Sequence, residues 1–189
     1  TTLRINSGEN KAKSAGLIFR YQDEGNFYHF RLDRNTTTTR IQLLKFVDGS
    51  VDSARTQTKT DAWETDRTYT MKVEVQGSRI RCWLDGEEIF DYVDSEAFLT
   101  GGIGVRTYAC TALFDDLTLS EPEEEPTPPD PGEEDPIAPE LPYVNPFQSN
   151  GLDGWTVSNS DVFTLHPTEE TLQCAGQGLA TVDGPFAGS

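Results

Sequence analysis

Arg79, Arg81 and Trp83 recur at every second position of RIRCWLDG, and His29 and Arg31 do the same in NFYHFRLDR. Successive side chains of an extended strand point to opposite faces. Arg79, Arg81 and Trp83 therefore share a face opposite Ile80, Cys82 and Leu84, and His29 and Arg31 share one opposite Tyr28, Phe30 and Leu32. Arg20, Arg106 and Tyr108 are candidates to join them. Aromatic rings and guanidinium groups on a curved sheet suit a sugar platform, by ring stacking and by bidentate bonds to hydroxyls or carboxylates. The same residues also serve as cross-strand pairs that keep a sheet soluble and twisted, and a basic face can receive an acidic segment of another copy. All three readings are open on the sequence.

Catalysis finds little support. The two histidines, His29 and His166, have no Cys or Ser partner in a recognisable nucleophile motif. A retaining glycosidase needs two carboxyl groups facing each other about 5 Å apart, one with a raised pKa, and no spacing here suggests such a pair. The chain is therefore expected not to be an enzyme.

Charge restricts the partners. Net charge is −17, and all fifteen Lys and Arg lie between Arg4 and Arg106. Residues 1–106 sum to −1 and residues 107–189 to −16. Phosphate contacts need clustered positive charge, so binding to nucleic acid or to an anionic membrane is not expected. Cations, or a basic surface on a neighbouring copy, are favoured instead. No run of about 18 apolar residues marks a membrane span, and no membrane insertion is expected. Three cysteines fit neither a disulfide-dense scaffold nor a CxxC metal site. Asn35-Thr36-Thr37 has the form of a glycosylation sequon.

The elements that must position these residues read as strands. In YTMKVEV, Met71, Val73 and Val75 alternate with polar residues, and Gln76-Gly77-Ser78 then turns the chain into RIRCWLDG. Glu24-Gly25 separates GLIFRYQD from NFYHFRLDR, and Asp48-Gly49 ends IQLLKFVDGS. GGIGVRTYACTALFDDLTL closes the stretch. No helical period of useful length precedes residue 121, which predicts an all-β antiparallel sandwich. The composition then changes abruptly: Glu121–Pro146 holds nine prolines and nine carboxylates with no basic residue. Proline fixes φ and removes donors while like charges repel, so residues 121–144 read as an extended, stiff, acidic Pro-rich linker. The expected division is 1–120 for the main body, 121–144 for the linker and 145–189 for further strands.

The strings GLIFRYQDEGNFYHFRLD, KFVDG, KVEVQGSRIRCWLDGEEIF and GGIGVRTYACTALFDDLTL resemble concanavalin A-like jelly rolls. The nearest groups are laminin-G-like and fructan-binding carbohydrate-binding modules, and related domains of unknown function described as sugar hydrolases. In such domains an F…LDGW element lies in the first strands; here Phe147 and Leu152-Asp153-Gly154-Trp155 follow the terminal strand. The order suggests that residues 145–189 are the opening strands of the same type of sandwich. The chain then reads as one period of a tandem array cut inside the repeat; a single domain with permuted termini and a chain that stops partway into a second domain are the alternatives.

The resemblance implies several residue roles. Fructan-binding modules use the RYQDxxN hairpin in the sugar site, which implies Arg20, Asp23 and Asn26, to stand with His29, Arg31, Arg81, Trp83 and Arg106 as the candidate carbohydrate site. Laminarinase-like hydrolases carry an ExDxxE strand, and Glu64-Thr65-Asp66-Arg67-Thr68-Tyr69 lacks its second glutamate. In many jelly rolls the first and last strands meet, which would bring Asp153 near Asp115 and Asp116; these hard oxygen ligands suit Ca²⁺, the one cofactor considered. With Cys174 in an opening strand and Cys110 in the closing one, a Cys110–Cys174 disulfide is expected, Cys82 staying buried and free.

The expected function is a non-catalytic, extracellular or cell-surface structural repeat. It would form a fibre, stalk or filament of linked sandwiches, its partners other copies of itself, with strand donation between copies an option. The alternative is a carbohydrate-binding module of a polysaccharide-degrading enzyme or adhesin, with a glycan as partner.

Overall fold

A computed structural model describes residues 1–8 and 12–120, together with strands at 143–144, 155–158, 163–166 and 171–182. Apart from a single 3-10 turn at Ser53–Arg55, the regular elements among the described residues are strands. Short turns of the expected chemistry join many of them. β2 (Lys13–Asp23) turns at Glu24-Gly25 into β3 (Asn26–Arg34). β4 (Thr39–Val47) turns at Asp48-Gly49 into β5 (Ser50–Val51), with φ of 49° and 78° at the two turn residues. Positive φ at both centres is the hairpin turn whose twist matches its strands, and an Asp-Gly pair tolerates it at least cost. Asp85-Gly86, at 50° and 83°, repeats the device between β8 (Arg79–Leu84) and β9 (Glu87–Val93). Gly77-Ser78 joins β7 (Thr68–Gln76) to β8.

With β1 at Thr2–Ile5 and β10 at Gly102–Asp115, the sheet order is β5-β4-β3-β2-β10-β1-β7-β8-β9, antiparallel, with β6 (Gln57–Thr60) beside β4. β10 is the corner strand. Its first half, Gly102 to Tyr108, pairs with β2, and its second half, Ala112 to Asp115, pairs with β1. Between the halves the register shifts, and Ala109 sits at φ 52°. A bulge of this kind bends a strand and lets it serve two sheets. β2–β3–β4 thus folds over β7–β8–β9, and the ring of Phe30 on β3 meets Phe90 on β9 edge-on, centroids 6.3 Å apart.

The core lies between these layers. Ala15, Leu17, Phe19, Phe30, Leu32, Ile41 and Leu43 face Tyr69, Met71, Ile80, Cys82 and Leu84, with Leu3, Ile5, Val105 and Phe114 closing the corner. Full burial of each Leu, Ile or Phe stabilises the fold by about 1.5–3 kcal/mol. The opposite face of the first layer is covered too: Ile18 is 1% exposed, Phe27 1% and Leu44 3%, none of them in the inter-layer core. Gly16 makes the β2–β3 contact close, since a Cβ there would lie 2.0 Å from the Phe30 carbonyl oxygen.

The free edge of β10 is taken by β15 (Thr171–Val182), through ten residue pairs from Ile103↔Val182 to Phe114↔Leu172. β15 in turn pairs with β13 (Trp155–Ser158) near one end and β14 (Phe163–His166) near the other. Leu172 is fully buried. β11 (Thr118–Leu119) pairs with β12 (Tyr143–Val144), so the two ends of the acidic Pro-rich stretch are antiparallel neighbours. The stretch itself, residues 121–142, lies outside the described residues, as do Phe147 and Leu152 to Gly154.

Candidate functional site

The eight residues proposed from sequence for a carbohydrate site do not converge. They fall at three places, and one of the eight changes side.

Asp23 and Asn26 cap the β2–β3 turn. Asp23 Oδ1 accepts from the Gly25 N–H at 2.7 Å and from Asn26 Nδ2 at 2.9 Å. Asn26 Oδ1 accepts from the Asp48 N–H at 3.1 Å, and the Gly49 N–H donates to the Gly25 carbonyl at 3.0 Å. The tip is thus tied to the neighbouring β4–β5 turn. Arg20 lies just before it, in a β-bulge with φ 48°. Strict alternation puts Arg20 opposite Leu17 and Phe19, on the outward face, but the bulge reverses this. Its guanidinium is 2% exposed and donates from Nη1 to the Phe98 carbonyl at 2.7 Å, while Nε and Nη2 have no partner.

Arg81 and Trp83 stand on the outward face of β7–β8, beyond the second layer. The Lys72 ammonium and the Arg81 guanidinium both lie over the indole, at 4.7 and 5.2 Å. Arg81 pairs with Glu74, which Lys72 approaches at 3.5 Å. Next to them Arg79 grips Asp91 in a two-point pair at 2.8 and 2.6 Å. The positive charges of this face are matched by carboxylates.

His29, Arg31 and Arg106 stand on the outward face of the first layer. Arg31 is fully engaged: it donates to Gln42 Oε1 at 3.1 and 2.9 Å and pairs with Asp33 at 3.1 Å. Asp33 also binds Arg40 at 2.5 Å. The Arg106 guanidinium lies over two stacked rings, 5.1 Å from the Phe27 centroid and 5.0 Å from that of Phe46. No carboxylate or carbonyl among the described residues accepts from it, and its partial burial lowers its pKa. His29 is 2% exposed with neither ring nitrogen hydrogen-bonded. Burial first, and then the charges of Arg31 and Arg106, push its pKa well below the usual histidine value, so the ring is neutral.

The best-defined polar centre escaped sequence reasoning. Lys45 on β4 pairs with Asp94, just past β9, at 2.9 Å. The Tyr28 hydroxyl donates to the same Asp94 oxygen at 2.5 Å, while Arg55 Nε and the Glu96 N–H donate to the other at 3.1 and 2.9 Å. The ammonium also lies 4.6 Å from the Phe98 ring centroid and donates to the Glu96 carbonyl. Arg20, Lys45 and Gln22 take the carbonyls of Phe98, Glu96 and Thr100, so three donors pin one loop at alternate residues. This centre is positional: every acceptor of Asp94 is used and its carboxylate is sealed from solvent.

No group of three His, Cys, Asp or Glu able to hold a metal occurs among the described residues. Asp116 sits at φ 52° with its N–H on Asp115 Oδ1 at 2.8 Å; Asp153 lies outside the described residues. In the β10–β15 register Cys174 lies opposite Ala112 and Cys110 opposite Gly176, so the two cysteines expected to bridge are diagonal neighbours. Cys82 is buried with no bridge.

Residues 9–117 match the family described as Domain of unknown function (DUF6250). The chain belongs to this family. Among solved structures it is similar to the carbohydrate binding module CBM66 from Bacillus subtilis, at 26% identity and a TM-score of 0.50, over 59% of this chain. It spans 66% of that module's length. No protein of curated function matches. The likeness fits the observed all-β, antiparallel architecture, a jelly-roll sandwich of the concanavalin A-like type. No helix among the described residues is long and apolar enough to cross a membrane.

Proposed function

We propose that this chain is a non-catalytic glycan-binding module. The observation that carries the reading is the outward face of the first layer, where a guanidinium without an acid partner rests on a pair of stacked phenylalanines beside a neutral, unpartnered imidazole. Sugar recognition uses this equipment: a few polar groups fixed in orientation against aromatic surface. Likeness to a solved carbohydrate binding module supports it. Such a module would work outside the cell or at its surface, where polysaccharides are met. The hairpin tip at Asp23 and Asn26 and the Trp83 face are weaker candidates, because their polar groups already serve each other.

The test is affinity electrophoresis of the full chain through gels containing soluble polysaccharides, with reducing-end release assayed in parallel. Retardation by at least one polysaccharide without release of reducing ends is expected. Unretarded migration through every gel would sink the reading, and release of reducing ends would make the protein an enzyme.

A second reading has one observation in its favour. The ten-pair ladder between β10 and β15 lets the segment after the acidic stretch complete the sandwich. If that segment can come from a neighbouring copy, linked sandwiches in a fibre follow, whether joined by peptide bond or by strand donation. Light scattering across a hundredfold concentration range, with the length of the native polypeptide on a denaturing gel, tests it: a fixed monomer mass and a single-unit polypeptide would exclude both forms.

A further inference from the structure

Resting on the glycan reading above, we infer that the outward face of β3 and β10 holds a subsite for a carboxylate-bearing sugar, a uronic acid, with Arg106 as the anion-binding group and His29 as a neutral hydrogen-bonding partner beside it.

The charge pattern points there first. Arg31, Arg40, Arg55, Arg67, Arg79 and Arg81 each have a carboxylate within 3.1 Å. Arg106 has none among the described residues, although it is partly buried and desolvation is the cause of its lowered pKa. A desolvated cation with no acceptor is costly unless a counter-ion arrives. The phenylalanine pair beneath it holds the guanidinium by its face, a contact that uses none of its N–H groups. No described residue accepts from its planar edge, and that edge matches a carboxylate through two parallel hydrogen bonds.

His29 supplies the second, independent observation. It projects from the same face of β3 as Phe27, two residues away, and its Nδ1 and Nε2 are both buried without a partner. Most buried side-chain nitrogens are hydrogen-bonded, and this neutral ring keeps one N–H donor and one acceptor nitrogen, the pair of functions that sugar hydroxyls meet. Flanked by Arg31 and Arg106, the ring gives a hydrogen bond and no second charge.

The remaining groups limit the ligand. Arg31 is consumed by Asp33 and Gln42, leaving one cation on the face for one carboxylate. Sixteen acidic groups in residues 107–189 disfavour a polyanion. A single carboxylate is repelled far less, because the Debye length is about 8 Å at physiological salt. A short uronic-acid oligosaccharide, or a neutral chain with one uronate branch, is the fitting class.

The experiment titrates the full chain by calorimetry at 0.15 M salt, about physiological. Three probes are used: a galacturonate trisaccharide, its fully methyl-esterified form, and a neutral fructo-oligosaccharide. The acid should bind at least ten-fold more tightly than the ester, a comparison that needs no variant. Arg106→Gln should remove that preference, Arg106→Lys should retain part of it, and Arg67→Gln, which removes an exposed cation paired with Asp85, should leave it unchanged. Equal affinity for acid and ester, or a preference that survives Arg106→Gln, overturns the subsite. Binding of the neutral saccharide alone also overturns it but leaves the glycan reading standing, whereas failure of all three probes counts against both.

Discussion

Lys45 Nζ and Asp94 Oδ2 stand 2.9 Å apart with side chains 3% and 0% exposed, joining the centre of one layer to the loop that leaves the other. Burial alone would raise the Asp94 pKa. The Tyr28 hydroxyl, the Glu96 N–H and the Lys45 ammonium outweigh it and hold the carboxyl below its ordinary range. The Asp94 side chain is therefore a carboxylate, held between the Lys45 ammonium and three further donors.

Removing one partner should be worse than removing both. Asp94→Asn leaves Lys45 as a buried charge without its counter-ion and should cost about 3–5 kcal/mol. Lys45→Met combined with Asp94→Asn should recover part of that loss, because the stranded ammonium is gone while the amide oxygen still accepts from the remaining donors, Tyr28, Arg55 and Glu96. Urea unfolding of the three proteins measures this; a double variant no more stable than Asp94→Asn would mean that the interaction is not an ion pair.

His29 should set the response to mild acid. Its folded pKa lies well below 6.5, so below the unfolded value the unfolded chain binds the extra proton. Stability is then full above about pH 6.5 and falls as pH drops from there toward the folded pKa, by at most about 1.4 kcal/mol per pH unit for one proton. His29→Leu should flatten this limb while leaving the steeper loss at lower pH, where Asp94 takes up its proton. An unchanged slope between pH 6.5 and 5 in the variant would assign the titration elsewhere.

Gly16→Ala should be the most damaging methyl in the first layer. The added carbon would meet the Phe30 carbonyl oxygen at 2.0 Å and the Arg31 Cα at 2.6 Å, both backbone atoms. Since neither can rotate away, β2 and β3 must part, and a loss of about 3 kcal/mol or more is expected. Thermal unfolding gives the answer; a shift of less than about 4 °C would show that the strands separate easily.

Cys82 should be chemically silent in the native state. Burial pushes its thiol pKa far above the usual value, and the nucleophilic thiolate is correspondingly scarce. Iodoacetamide should label it only after denaturation. Labelling of Cys82 in native buffer at the rate of an exposed thiol would mean that β8 opens readily.

The sequence carried the hairpins well, because their signals are local. Asp48-Gly49, Glu24-Gly25 and Gly77-Ser78 all turn where turn chemistry placed them. Alternation also set Tyr28, Phe30 and Leu32 against His29 and Arg31 correctly. What alternation lacked was the environment of each face. It treated the side of β3 bearing His29 as solvent-facing, whereas both sides are covered, and that covering turns an exposed platform into a partly buried site. Arg20 failed for a different reason. A left-handed residue inside a bulge breaks the period of two, and nothing in the FRYQD string marks which residue will adopt it. The Lys45–Asp94 centre was invisible because its members are 49 residues apart and each, alone, looks like a surface charge.

Because the kinked β10 serves both layers, it also imposes a timetable on synthesis. β2, β3 and β4 can zip together as soon as they leave the ribosome, their neighbours being adjacent in the chain. β1 has no such luck: one edge waits for Thr68–Thr70 and the other for Ala112–Asp115. At about 5–20 residues per second, the second of these arrives on the order of ten seconds after β1 itself. For that interval the nascent chain holds out an unpaired strand with Leu3 and Ile5 uncovered, and whatever shields them in the cell has to act before the corner exists.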